Sequence, residues 1–171
     1  MKKAIAILTR GYEDINRYDD LIKRNIAIYE HINEDTSIPL LIFHEGNITQ
    51  EHQSRIKYFS MGQELRFIDI SNIWAGGYEA MCKFNIYQIF ELTKDFDVVM
   101  RIDEDCFVEG CDVNPFDQIG DAVFLNSVYW AESHSETNAT LPGFIKDLLR
   151  LPDTSFYNDK YPYTNVCAFR P

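Results

Sequence analysis

Short apolar runs alternate with segments of helical period, and this order limits the fold more than any other feature of the chain. Ala4 to Leu8, Pro39 to Phe43 and Val98 to Ile102 are nearly unbroken apolar runs. A strand with one wet face alternates; a strand buried on both faces reads as such a run. Between the first two, Tyr18, Leu21, Ile22, Ile26, Tyr29 and Ile32 recur at three and four residues, which predicts an amphipathic helix with Asp14 as its cap. Gln50 to Phe59 repeats that spacing, and Leu65 to Ile70 reads as a third strand. From Gly77 to about Thr93, Tyr78, Met81, Cys82, Ile86, Ile89 and Phe90 share one helical face. The order β-α-β-α-β-α-β predicts a mostly parallel sheet with helices on both sides, a three-layer α/β/α sandwich. A less regular half follows, with a strand Ala122 to Asn126, a helix Gly143 to Leu151 ended by Pro152, and a last strand Val166 to Phe169. The 171 residues suit a single domain, 1–171. The chain stops at Phe169-Arg170-Pro171 inside that last apparent strand, which predicts truncation at the C-terminus.

The fourth strand runs straight into Asp103-Glu104-Asp105. In an open α/β sheet, ligands bind beyond the carboxyl ends of the strands. Residues i and i+2 of an extended segment point the same way, so Asp103 and Asp105 converge, while Glu104 is expected to point the other way. A divalent cation relieves the repulsion of two carboxylates and organises phosphate oxygens. Asp103 and Asp105 are therefore candidate ligands for Mn²⁺ or Mg²⁺ carrying a nucleoside diphosphate, with Glu104 a candidate contact beside them. A calcium loop over Asp103 to Asn114 fails, because Phe107 and Val108 stand where a ligand and the turn glycine are needed, and Asn114 replaces the final Glu.

Thr9, Arg10 and Gly11 end the first strand and are candidates for lining a nucleotide. Lys83, on the helix before the fourth strand, is a candidate for stabilising a departing diphosphate. Tyr78 on the same helix is a second nucleotide-contact candidate. Arg101 alternates with Asp103 and favours its ionised form. Glu132, and less so His134, in the polar loop Ala131 to Glu136 are candidates for a general base toward an acceptor hydroxyl. Trp74 and Trp130 are near loops, where rings stack on sugars, although single tryptophans more often pack. No P-loop, dinucleotide-binding or nucleophile-elbow motif occurs.

A net charge of −11 argues against general attraction to nucleic acid or to an anionic membrane. It also repels a polyphosphate, so a cation or local Arg and Lys must compensate. Cys82, Cys106, Cys111 and Cys167 fit no zinc spacing and read as free thiols of a reducing compartment. Met1-Lys2-Lys3 followed by apolar residues breaks off at Thr9-Arg10, too early for a signal peptide, and no run approaches a membrane span. A cytoplasmic location is expected.

Gly77-Tyr78-Glu-Ala-Met81-Cys82-Lys83-Phe84, followed by Phe96-Asp97-Val-Val-Met-Arg101-Ile-Asp103-Glu-Asp105, resembles a paired segment of fungal α-mannosyltransferases of the Kre2 type. That segment is Tyr-x-x-Met-Cys-Arg-Phe and then a strand with an acidic metal motif. The chain also resembles chlorella-virus glycosyltransferases, for which the location would be the host cytoplasm. The likeness is clear over residues 77–113 and diffuse elsewhere. It implies a GT-A fold, a nucleotide-sugar donor linked to UDP or GDP, Mn²⁺ or Mg²⁺ on Asp103 and Asp105, and Thr9 to Gly11 along the nucleotide. Lys83 stands where that family carries Arg. Tyr163-Thr164-Asn165-Val166-Cys167 is similar to the family's aromatic-Ser-Asn-Phe-Glu stretch, but Cys167 replaces the Glu. That replacement argues against a retaining mechanism through a carboxylate there. Many GT-A enzymes add a C-terminal His to the metal, and nothing after Arg170-Pro171 supplies one.

The expected activity is metal-dependent transfer of a hexose from a nucleoside diphosphate sugar to a hydroxyl of a glycan or glycoprotein. Two alternatives stand beside it. A sugar-phosphate nucleotidyltransferase needs a glycine-rich basic loop after the first strand, and Thr9 to Asp14 is too acidic for that. An inactive nucleotide-sugar or carbohydrate-binding module fits the abrupt end and the missing Glu.

Overall fold

Strand β1, Lys3–Thr9, sends Ile5 and Ile7 to one side of the sheet and Ala4 and Ala6 to the other, and all four are fully buried. Two-sided burial is the physical reason its sequence does not alternate. The computed structural model describes residues 1–104, 106–110, 113–126, 129–131, 150, 160–162 and 166–171. Asp105, Glu132, His134, Tyr163 to Asn165 and nearly all of the expected helix from Gly143 to Leu151 lie outside these residues. By its contacts the chain divides into two compact units, Met1–Leu125 with Asn165–Pro171, and Asn126–Thr164.

The first unit holds β1, α1 (Asp19–His31), β2 (Leu40–His44), α2 (Gln50–Phe59), β3 (Leu65–Asp69), α3 (Gly77–Lys83), α4 (Ile89–Thr93), β4 (Val98–Ile102) and α5 (Pro115–Gln118). After α5 come β5 (Phe124–Asn126), then β6 (Tyr129–Ala131) and β7 (Lys160–Pro162) in the other unit, and β8 (Val166–Phe169). The order in the main sheet is β3-β2-β1-β4-β8-β5. Strands β1 to β4 are parallel, and β8 runs antiparallel to β4 with Arg101 opposite Cys167. The register places Thr9 beside His44 and His44 beside Asp69, so three strand tips form one edge. In the second unit β6 and β7 pair antiparallel, Trp130 opposite Tyr161.

One face of the sheet, with Ile5, Ile7, Leu40, Ile42, Val98, Met100 and Ile102, packs on Tyr18, Leu21, Ile22, Ile28 and Ile56 from the α1 and α2 layer. The opposite face, with Ala4, Ala6, Leu41, Phe43, Val99, Cys167 and Phe169, packs on Phe84 and Ile89. This is the expected three-layer α/β arrangement. Two polar side chains also turn inward from α1. Asn25 Nδ2 donates to the Ser60 hydroxyl at 2.9 Å, and Arg24 is fully buried.

Three local expectations change. Asp14 accepts from the Asn16 N–H and so caps a 3₁₀ turn, Ile15–Tyr18, that precedes α1. The expected strand from Ala122 begins only at Phe124, because Ala122 N–H closes a turn on the Ile119 carbonyl. The face predicted for the segment after Gly77 is only partly the buried one. Tyr78 and Ile86 are 78% and 76% exposed, whereas Ala80, Phe84, Gln88, Ile89 and Thr93 are buried. A π-helical turn, Phe84–Gln88, in which the Ile89 N–H reaches the Phe84 carbonyl five residues back, puts the residues before and after it out of step, while Tyr78, before the turn, faces the solvent side. One such turn rotates the phase of everything after it.

Candidate active site

The carboxyl tips of β1 and β4 open into a cleft of about 1320 Å³. Thr9, Arg10, Tyr12, Asn16 and Arg17 line it from the β1 side, Asp103, Glu104 and Phe107 from the β4 side, and Trp74, Tyr78 and Met81 from around α3. A smaller hollow of about 400 Å³ sits by Lys3, Ile38 and Asn114, at the opposite ends of the strands. The parallel sheet favours the first as a ligand site.

Asp103 lies one residue past β4, and its Oδ1 is 3.0 Å from Arg101 Nε. Arg101 is itself buried at 6% exposure, so this charge contact holds the aspartate side chain at the cleft floor. Glu104 turns to the loop after β1: its Oε2 accepts the Arg10 backbone N–H at 3.2 Å, and its Oε1 accepts the Tyr12 hydroxyl. Burial, then the bond to Glu104, push the Tyr12 phenol up to about 12, so it stays a proton donor. Arg24 Nε donates to the Cys106 carbonyl at 2.7 Å, and its guanidinium lies 5.2 Å from the Phe107 ring, so α1 supports the segment beyond the acids.

Charge in the cleft is unevenly satisfied. Asp19 pairs with Arg55 at 3.3 Å, Asp20 with Lys23 at 3.2 Å and Asp103 with Arg101. Arg10 and Arg17 have no ion-pair partner among the described residues. Glu45 also lines the cleft with no ion pair among the described residues, so Arg10 and Arg17 give an anion local compensation in a chain of net charge −11 rather than a net positive surface.

The structure thus brings Thr9, Arg10, Tyr78, Asp103 and Glu104 to one cleft. Lys83 is exposed and is not among the lining residues, and neither is Gly11. A Cβ on Gly11 would fall 1.8 Å from Asn47 Oδ1, so its small size serves the close approach of the β1 and β2 loops. Asp105 and Glu132 lie outside the described residues. Tyr12, Asn16, Arg17 and Phe107 join the cleft, although no motif singled them out. Two arginines within eight residues after the first strand were the available signal for Arg17.

Among the described residues no three of His, Cys, Asp and Glu gather as a metal cage. The donors that do face the cleft are carboxylate oxygens, and these suit Mn²⁺ or Mg²⁺ held by one or two carboxylates plus phosphate oxygens. At the position of the expected Glu, Cys167 is 5% exposed, and burial pushes its thiol up, so it carries no charge near neutrality.

His44 closes β2 at 4% exposure, and its Nδ1 accepts the Gly46 N–H at 3.1 Å. Burial holds its pKa below the ordinary 6.5, against a smaller opposing pull from Asp69. The unfolded chain therefore takes up a proton near 6.5 that the folded chain refuses until lower pH. Stability should be full above 6.5 and fall on acidification below it, by at most about 1.4 kcal/mol per pH unit for this one proton. Urea midpoints of the native chain and of His44→Gln between pH 7 and 5 measure this. The expected result is a fall with the histidine and a flatter profile without it.

No family model and no curated protein matches the chain. Solved structures do. Core-mannan synthase A (CmsA/Ktr4) from Aspergillus fumigatus, in its Mn/GDP form, matches 99% of this chain with a TM-score of 0.67 at 12% identity. The mannosyltransferase Ktr4p from S. cerevisiae matches 99% with a TM-score of 0.68 at 16% identity. The mannosyltransferase PcManGT from Pyrobaculum calidifontis, in complex with GDP-Man and Mn²⁺, matches 99% with a TM-score of 0.56 at 12% identity. The chain spans 59%, 56% and 44% of those three chains respectively. Among the described residues no helix is long and apolar enough to cross a membrane. With its mostly parallel six-stranded sheet and these neighbours, the chain has a GT-A-like glycosyltransferase fold resembling that of the fungal mannosyltransferases.

Proposed function

We propose that this chain is a metal-dependent glycosyltransferase that moves a hexose from a nucleoside diphosphate sugar to a hydroxyl of a glycan or glycoprotein. The observation that carries this reading is the cleft itself. It sets the Asp103 carboxylate against two arginines, Arg10 and Arg17, that no described acid neutralises. A diphosphate would meet the two arginines, and Asp103 is the described carboxylate that would hold a dication beside it. GDP is the first nucleotide to try, because the mannosyltransferase structures similar to this chain carry it.

In this reading Asp103 and Asp105 would hold Mn²⁺ or Mg²⁺, which would supply positive charge against the diphosphate. Arg10 and Arg17 bind phosphate oxygens and share that charge. Thr9 lines the nucleotide at the end of β1, and Gly11, outside the cleft lining, serves it only by letting the β1 and β2 loops approach. Tyr78 and Trp74 offer rings from the far side of the cleft. Lys83 is retained as a candidate for the departing diphosphate, and its exposed position makes it the weaker one. Glu132 is proposed to take the proton of the acceptor hydroxyl. An uncharged Cys167 supplies no carboxylate nucleophile, so that route to retention has no group here.

Titration with GDP and with UDP, each with and without Mn²⁺, tests the reading by thermal unfolding. A ligand present at 100 times its Kd stabilises the native state by about 2.7 kcal/mol. The expected result is a rise in Tm that needs nucleotide and Mn²⁺ together, accompanied by slow hydrolysis of the matching donor sugar. Stabilisation with no hydrolysis or transfer supports the binding-module alternative instead. No stabilisation by GDP or UDP defeats the transferase reading and the nucleotide-sugar module for those bases, and leaves only the carbohydrate-binding form of the alternative.

A further inference from the structure

The acid between the two aspartates serves the opposite wall of the cleft. Both carboxylate oxygens of Glu104 are taken by the loop after β1, one by the Tyr12 hydroxyl and one by the Arg10 N–H. That loop is also tied at its far end. The Tyr12 N–H donates to the Tyr18 hydroxyl at 2.7 Å, and the same hydroxyl donates back to the Tyr12 carbonyl at 3.2 Å. Tyr18 is fully buried, and its ring meets that of Tyr12 edge-on at 5.5 Å. Tyr12 is therefore fixed at its amide, its carbonyl, its ring and its hydroxyl. Against this fixed ring lies the Arg17 guanidinium, at 4.3 Å from the centroid. Arg10 and Arg17, the two arginines without ion-pair partners in the cleft, thus both depend on one tether.

We propose that Glu104 is a positioning residue that, through Tyr12, locks residues 10–18 against the tip of β4 and holds Arg10 and Arg17 ready for a diphosphate. This rests on the nucleotide-sugar reading above. Hydrogen bonds to a carboxylate are the strong ones, and both oxygens here act on one loop. Two long cationic side chains on a loose loop lose much of their freedom when they bind an anion; a loop already in place removes part of that loss. Consecutive residues leaving a strand point different ways, so one short acidic segment both faces the ligand and fastens the opposite wall.

The test uses the full chain with Tyr12→Phe, Glu104→Gln and the double variant, read in two ways. Tyr12→Phe keeps the ring beneath Arg17 and loses only the hydroxyl. Amide hydrogen exchange of the ligand-free proteins reads the loop directly. Each single variant should speed exchange at Arg10 and Tyr12 by about tenfold or more, and the double variant should add little, since both remove one tether. Calorimetric titration with GDP and Mn²⁺ should show about tenfold weaker binding in each single variant, again without addition in the double. Arg17→Gln should cost less affinity in the Tyr12→Phe background than alone. Unchanged exchange, or additive losses, overturns the lock. Faster exchange with unchanged GDP binding overturns the positioning role and leaves the proposed function standing. A native chain that binds no nucleoside diphosphate overturns that function, and the exchange result still decides whether Glu104 fastens the loop.

Discussion

Asp103→Asn and Asp105→Asn are each expected to lower donor turnover by about 10²–10³, the usual effect of removing one group that stabilises charge in a transition state. The comparison is informative at Asp103 because asparagine keeps the size and shape of the side chain beside Arg101 while removing the charge. The cost in stability should be about 1–3 kcal/mol, the scale of leaving a buried charged group short of its partner. Loss of activity in a folded protein then points to chemistry rather than to collapse of the β4 tip. Initial rates of GDP-mannose hydrolysis or transfer with saturating Mn²⁺, beside urea unfolding of the same samples, separate the two effects. Full activity in either variant defeats the proposal that this pair holds a catalytic metal. An equal loss of rate and fold in Asp103→Asn reduces that residue to a structural partner of Arg101.

Phe84→Ala should destabilise the first unit by about 3–5 kcal/mol, the cost of emptying a large aromatic from a core. Phe84 is fully buried, with ring centroids 5.2 Å from Phe43 and 6.5 Å from Trp74. In a chain of this size each kcal/mol lowers Tm by about 2–4 °C. The consequence reaches the cleft, since Trp74 lines it and Phe43 immediately precedes the β2 tip. Nucleotide binding should therefore weaken at temperatures where the variant is still folded. Calorimetric unfolding checks the first part, and a loss below 1 kcal/mol would show that the π-helical turn is not the anchor its burial suggests.

The helix that carries Phe84 shows how far periodicity reaches. Its existence and extent, from Gly77 to Thr93, follow from apolar spacing. Its buried face does not, because a single wide turn at Phe84–Gln88 changes the phase, and a fixed period of 3.6 residues cannot represent that. Tyr78, which that period assigned to the inward face, precedes the turn, and its exposure goes with its place in the lining of the cleft rather than with the change of phase. The strands were more legible: β2 and β4 coincide with apolar runs because both of their faces are covered. Asp103, Arg10 and Thr9 were legible for a related reason, since residues just past buried parallel strands must surface together at the sheet edge. Arg17 and Tyr12 were not, because their place depends on how a turn between β1 and α1 folds back, which side-chain contacts with Tyr18 and Glu104 settle.

The order of apolar runs and helical segments by itself determined the layered α/β architecture and which residues surface together where β1 and β4 end, because burial on two faces and strand-end placement are written in local composition. Only the tertiary structure decided which charges in the cleft are already satisfied. Asp19, Asp20, Asp103 and Glu104 find partners from α2, α1, β4 and the β1 loop. Arg10 and Arg17 find none among the described residues. That balance is a property of distances across the fold, and a linear spacing of acidic and basic residues does not contain it.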